Sequence, residues 1–149
     1  MTVVIRQIEV KDIPALLQLV DEYWRFEDIS GFDPAQVTSQ LERLLADPAL
    51  GNCWIASTDR DAAGYLLAVY VFSLEHLGLT AEIDEFFVRP SFRGRDIGSK
   101  LLKIAEEEFV RRRCSNVSLQ LGHGNEKART FYRQRGYGER AGYELLDKV

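Results

Sequence analysis

The chain has 149 residues, 46% of them hydrophobic and 28% charged, a balance that excludes a disordered chain and suits one domain, residues 1–149, with a real core. A formal net charge of −4 argues against a nucleic-acid partner, and no apolar run is long enough to span a membrane. The start, Met1–Arg6, lacks the charged and apolar regions of a signal peptide, and two cysteines, Cys53 and Cys114, have no metal-ligand spacing, so reduced thiols, no metal and a cytoplasmic location are expected.

Val3–Glu9 alternates apolar and polar residues and predicts a first strand. Asp12 is placed to cap a helix with Ile13, Leu16, Leu17, Val20 and Trp24 on one face; Tyr23, Trp24 and Phe32 stay open between core and acceptor-pocket wall, and the apolar stripe favours core for Trp24. Asp33-Pro34 is a strong helix start, with a capping side chain followed by proline, and the helix it opens shows Val37, Leu41, Leu44 and Leu45 before Asp47-Pro48. Strands are predicted at Cys53–Ser57, Gly64–Leu74 and Leu79–Val88, then a helix from Ile97 to Arg112 with Ile97, Leu101, Ala105 and Phe109 spaced by four. Val117–Leu121 predicts a fifth strand, Asn125–Arg135 a fourth helix and Tyr143–Leu146 a last strand. The strand–helix–strand unit near residues 82–121 requires a parallel pair, whereas the earlier strands suit antiparallel pairing. Arg111-Arg112-Arg113, preceded by Glu107 and Glu108, reads as a solvated helix end, and His76 and His123 as surface residues.

The most informative stretch is Glu82–Gly98: a strand, a turn rich in glycine and arginine, then the start of an amphipathic helix. Helix N-termini present N–H groups without intrahelical acceptors, and with small residues ahead of them these donors close on phosphate. Downstream lies Asn125-Glu126-Lys127-Ala128-Arg129-Thr130-Phe131-Tyr132, running on to Gly136-Tyr137. Together, in this order and with a strand between them, the two segments resemble the signature motifs of the GNAT superfamily of N-acetyltransferases. The resemblance implies an α+β fold with a mixed, mostly antiparallel sheet of six to seven strands flanked by about four helices.

It also implies acetyl-CoA as co-substrate. The backbone of Arg93, Gly94, Arg95, Asp96, Ile97, Gly98 and Ser99 would cradle the pyrophosphate, and that of Phe86, Phe87 and Val88 would pair with the pantetheine arm as an added strand. Asn125 and Tyr132 would reach the cofactor from the fourth helix, Asn125 also serving as its cap. Asp96 stands where the family pattern has a glycine, but the contact is made by backbone N–H groups.

Asp84-Glu85-Phe86-Phe87-Val88 is most similar to the polyamine and diamine acetyltransferases. By that resemblance Asp84 is the base, Glu85 binds a cationic acceptor, Glu82 stands where other branches place the acid, and Tyr132 protonates the leaving thiolate. Strand geometry puts Glu82 and Asp84 on one face, and Glu85 on the other unless a bulge intervenes. Glu22, Glu27 and Asp28 would add to an acidic acceptor mouth favouring a second positive charge. The implied function is direct acetyl transfer in a ternary complex to a primary amine, a small cationic one, with no nucleic acid or membrane as partner. A homodimer is left open. The alternatives are acetylation of a protein N-terminus or lysine, and a non-catalytic acyl-CoA-binding module.

Overall fold

The computed structural model describes residues 2–149, which form two compact units, one running to Leu119 and the other spanning Gln120–Val149. The first carries β1 (Val4–Gln7), a short 3-10 turn, α1 (Ile13–Phe26), α2 (Pro34–Ala46), β2 (Gly51–Ser57), β3 (Ala62–Ser73), β4 (Gly78–Val88), α3 (Ile97–Arg111) and β5 (Val117–Leu119); the second carries α4 (Glu126–Arg133). The sheet order is β1-β2-β3-β4-β5. Every pair is antiparallel except β4 with β5, which run parallel and are joined through α3.

Alternation along the strands builds two apolar faces. Cys53, Ile55, Tyr65 and Phe87 meet Leu16, Leu19 and Val20 of α1 and Leu41 of α2 on one face. On the other, α3 packs on β2, β3 and β4, with Trp54 edge-on to Phe109 at 6.3 Å. Leu16, Leu19, Leu66 and Leu101 are fully buried, each contributing about 1.5–3 kcal/mol.

The α2 start agrees with the sequence: Asp33 Oδ1 accepts from the N–H groups of Ala35 and Gln36 at 3.0 and 3.3 Å. Asp12 behaves differently. Its carboxylate makes no cap bond to α1; it accepts from Nη1 and Nη2 of Arg6 at 2.7 Å each and from the Glu9 N–H at 2.7 Å, which ties β1 to the 3-10 turn. The Arg6 hydrogen bonds hold the Asp12 carboxyl below its usual range. At the end of α3, Glu108 takes both Arg111 and Arg112.

The fold is α+β with a mixed sheet and four helices, but five strands among the described residues rather than six or seven. Tyr143–Leu146 is not a strand: Tyr143, Leu145 and Leu146 stand exposed, and alternation without burial or a pairing edge does not hold an extended segment in a sheet. No helix among the described residues is long and apolar enough to cross a membrane.

Candidate active site

The β4–α3 junction carries the features a pyrophosphate needs. Gly94 has φ +78°, with nothing within 4 Å of the place a Cβ would take. Asp96 also sits in the left-handed region (φ 61°, ψ 16°), a conformation glycine reaches freely and aspartate tolerates better than most residues. Its backbone therefore holds the turn that the missing glycine would make, and its side chain makes no cap bond to α3. Lys100 is the first residue of α3 to bond back, to the Asp96 carbonyl at 3.0 Å, so the N–H groups of Ile97 and Gly98 have no intrahelical acceptor. The Arg93 side chain is committed locally: its Nε donates to the Val88 carbonyl at 3.0 Å, and its guanidinium lies over Phe26 and Phe87. It thereby pins the loop to the end of β4.

The ladder with β5 ends at Ile83↔Leu119, so the stretch from Asp84 to Val88 has a strand neighbour, β3, on one side. A strand edge without a second strand partner is the feature that β-augmentation by an extended arm uses.

A bulge then decides the carboxylates. Leu67 of β3 pairs with Glu85 and Ala68 with Ile83, leaving Asp84 as the extra residue. The two-residue period is thereby broken, and Glu85 falls on the same sheet face as Tyr65 and Phe87. Asp84 and Glu85 both line a cavity of about 320 Å³ between α1, α2 and the sheet; Glu82 does not. The side chain of Glu85 is fixed at both oxygens: Tyr65 OH donates to Oε1 at 2.7 Å and Trp24 Nε1 to Oε2 at 2.8 Å. Burial raises its pKa, and those two donors pull in the opposite direction without cancelling the effect. Asp84 stands more open at the bulge, accepts no hydrogen bond among the described residues, and has its pKa raised by desolvation. Burial likewise raises Tyr65, whose hydroxyl stays a donor, and takes Tyr23, edge-on to Tyr65, up to about 12.

Trp24, open in the sequence between core and pocket wall with core favoured, lines the cavity and holds Glu85, while its ring packs edge-on to Phe32 at 5.7 Å. Tyr65 carried no signal in the sequence beyond its strand. A buried indole N–H needs an acceptor, and an acidic pair on a neighbouring strand was the available signal. Glu22 drops out of the acidic mouth: it is paired with Arg89, whose Nε and Nη2 reach it at 3.1 and 2.7 Å while Nη1 bonds the Ala62 carbonyl. Cys53 is buried in the cavity wall with its thiol pKa raised by desolvation, and no disulfide forms among the described residues.

Within the second unit, Asn125 caps α4, its Oδ1 accepting from the Ala128 N–H at 3.2 Å. The ring of Tyr132 is buried between Phe131 and Tyr137, at 5.3 and 5.5 Å between centroids.

The sequence profile of the Acetyltransferase (GNAT) family matches residues 13–137. Over 130 residues the chain is 31% identical to an uncharacterized N-acetyltransferase of Archaeoglobus fulgidus, an alignment covering 86% of this chain and 88% of that one. It is 27% identical over 147 residues to the thialysine N-epsilon-acetyltransferase of Sus scrofa, covering 91% and 84%. Its fold matches, with a TM-score of 0.83, a Clostridium acetobutylicum structure described as a predicted acetyltransferase with acetyl-CoA, at 18% identity and covering 98% and 96%. The chain belongs to the GNAT acetyltransferase family. It is an acetyl-CoA-dependent N-acetyltransferase.

Proposed function

We propose that residues 1–149 act as one catalytic domain that transfers acetyl directly from acetyl-CoA to a small cationic primary amine held at Asp84 and Glu85. The observation that carries this is the bulge, which aims two adjacent carboxylates at one cavity, with Glu85 locked from behind by Tyr65 and Trp24. A cavity of about 320 Å³ suits a small molecule better than a protein chain. The thialysine acetyltransferase relative, named for an amine acceptor, supports the same choice.

An alkylamine arrives as its ammonium, with a pKa of about 10.4, and must lose a proton before its lone pair can attack. Glu85, anchored and half-buried, is the ion-pair partner that captures the cation. Asp84 is the base: no donor holds its anion, and its raised pKa brings it nearer the pH at which it must accept a proton. The amine nitrogen then bonds to the thioester carbonyl carbon, the carbon–sulfur bond breaks, the thiolate takes a proton from the Tyr132 hydroxyl, and the proton shed by the new amide nitrogen passes through solvent to restore that hydroxyl. The N–H groups opening α3, with the turn at Gly94 and Asp96, hold the pyrophosphate, and the Phe86–Val88 backbone the pantetheine arm. Asn125 orders the start of α4 and, as the family resemblance implies, serves as a cofactor ligand.

A panel of amines incubated with acetyl-CoA, followed by release of free thiol, tests the reading. Amine-dependent thiol release that falls in Glu85→Gln supports it; thiol release independent of every amine refutes it.

A further inference from the structure

Resting on the amine reading above, we propose that the acceptor is a monoamine carried on an apolar body, an alkyl- or arylalkylamine, and that a second positive charge is disfavoured. The walls of the cavity are mainly hydrocarbon: Leu16 and Val20 from α1, Val37, Leu41 and Leu44 from α2, and Leu67 from β3, with the neutral amides of Gln36 and Gln40 added from α2. No lysine or arginine lines it, and its carboxylates are Asp33, Asp84 and Glu85. Asp33 is exposed and already caps α2, so it belongs to the solvent rim. Glu85 is the carboxylate held within, on the sheet face that Tyr65 shares. Inside the rim the site is therefore anionic at one end and mostly apolar, with no further charge, along the rest.

A primary ammonium fits the polar end. Whatever follows the amino group lies against leucine and valine, where a methylene gains by leaving water and a second ammonium loses its hydration without a buried partner. The acidic residues that would have drawn a dication are not available at the cavity. Glu22 is neutralised by Arg89, and Glu27 and Asp28 are exposed and absent from the lining.

The test is a homologous series on the wild-type protein with saturating acetyl-CoA and thiol release as readout. Ethyl-, propyl-, butyl-, pentyl- and hexylamine and 2-phenylethylamine are compared with 1,4-diaminobutane, which has the heavy-atom count of pentylamine. The ratio kcat/KM should rise by about fourfold per methylene, the value of one buried CH₂, until the cavity is full. Pentylamine should exceed 1,4-diaminobutane by roughly tenfold or more. Val37→Phe, which fills the cavity from α2, should cut the hexylamine-to-ethylamine ratio by about tenfold; if that variant does not fold, the wild-type series decides alone. A flat series, or a diamine equal to or better than pentylamine, overturns the proposal while leaving amine acetylation standing. Absence of thiol release with every amine removes both.

Discussion

Tyr65→Phe deletes one oxygen and leaves the ring that packs against Tyr23 and the α1 core. The lost group is the donor to Glu85 Oε1, a bond of 2.7 Å to a half-buried carboxylate. Hydrogen bonds to charged groups contribute about 1.5–3 kcal/mol, and at pH 7 the variant should be destabilised by that amount. Burial already places the Glu85 pKa above the ordinary 4.5, and Tyr65 is one of two groups restraining it; removing Tyr65 raises it further. The sign follows: a carboxyl whose folded pKa lies above its unfolded one stabilises below the unfolded value, and that stability is lost as pH rises through the folded pKa. The gap between variant and wild type should therefore be smallest at the acid end, where the carboxyl is protonated, and widen toward pH 7. Urea unfolding at pH 4, 5, 6 and 7 reads this directly. In parallel, the acid limb of kcat/KM against pH should move up by about one to two pH units, since an acceptor site needs the Glu85 anion. A destabilisation equal at every pH, with an unmoved acid limb, would refute the claim that Tyr65 acts through Glu85.

Asp12→Asn should cost about 1–2 kcal/mol at pH 7, because two charge-assisted bonds from Arg6 are weakened; its dependence runs the other way, since Asp12 is held below the ordinary 3.8, and the loss should fade as pH falls under that value in an acid unfolding series. Asp96→Gly should change stability by no more than about 1 kcal/mol, relief of the left-handed conformation being offset by a freer unfolded chain, and calorimetry should show acetyl-CoA affinity kept or strengthened. Tyr132→Phe should leave folding and acetyl-CoA binding intact and lower kcat by about 10²–10⁴-fold; unchanged turnover with chemistry rate-limiting would return the residue to packing alone. Asp84→Asn and Glu85→Gln should separate in steady-state kinetics, the first lowering kcat and the second raising the KM of the amine.

The elements governed by local chemistry were legible in the sequence. Asp33-Pro34 starts α2 where a capping carboxylate followed by proline requires it, and the four-residue spacing of Ile97, Leu101, Ala105 and Phe109 places α3 with its apolar face on the sheet. The turn from β4 into α3 also stands where its glycine and arginine residues put it. What escaped depends on partners distant in the chain. Asp12 looks like a helix cap by position, but Arg6 outbids the α1 N–H groups because a guanidinium offers two charged donors at once. Periodicity marked Trp24 as apolar face, which is correct, but cannot distinguish a core wall from a cavity wall. That difference depends on how α2 packs beside it, since Val37, Leu41 and Leu44 form the facing wall. The bulge at Asp84 is likewise a property of the β3–β4 pairing and not of either strand, so the sequence left the facing of Glu85 conditional. Tyr143–Leu146 shows the reverse error, an alternating pattern with no burial to enforce it.

Asp84 and Glu85 serve the amine and not the cofactor in the proposed reaction. The most direct measurement follows the Asp84→Asn/Glu85→Gln double variant in two assays on the same sample: calorimetric binding of acetyl-CoA, and amine-dependent thiol release with hexylamine. The expected result is acetyl-CoA affinity within about threefold of wild type, less than 1 kcal/mol, with thiol release reduced by at least about 100-fold. Full thiol release in the double variant, or loss of acetyl-CoA binding with the fold intact, would contradict it.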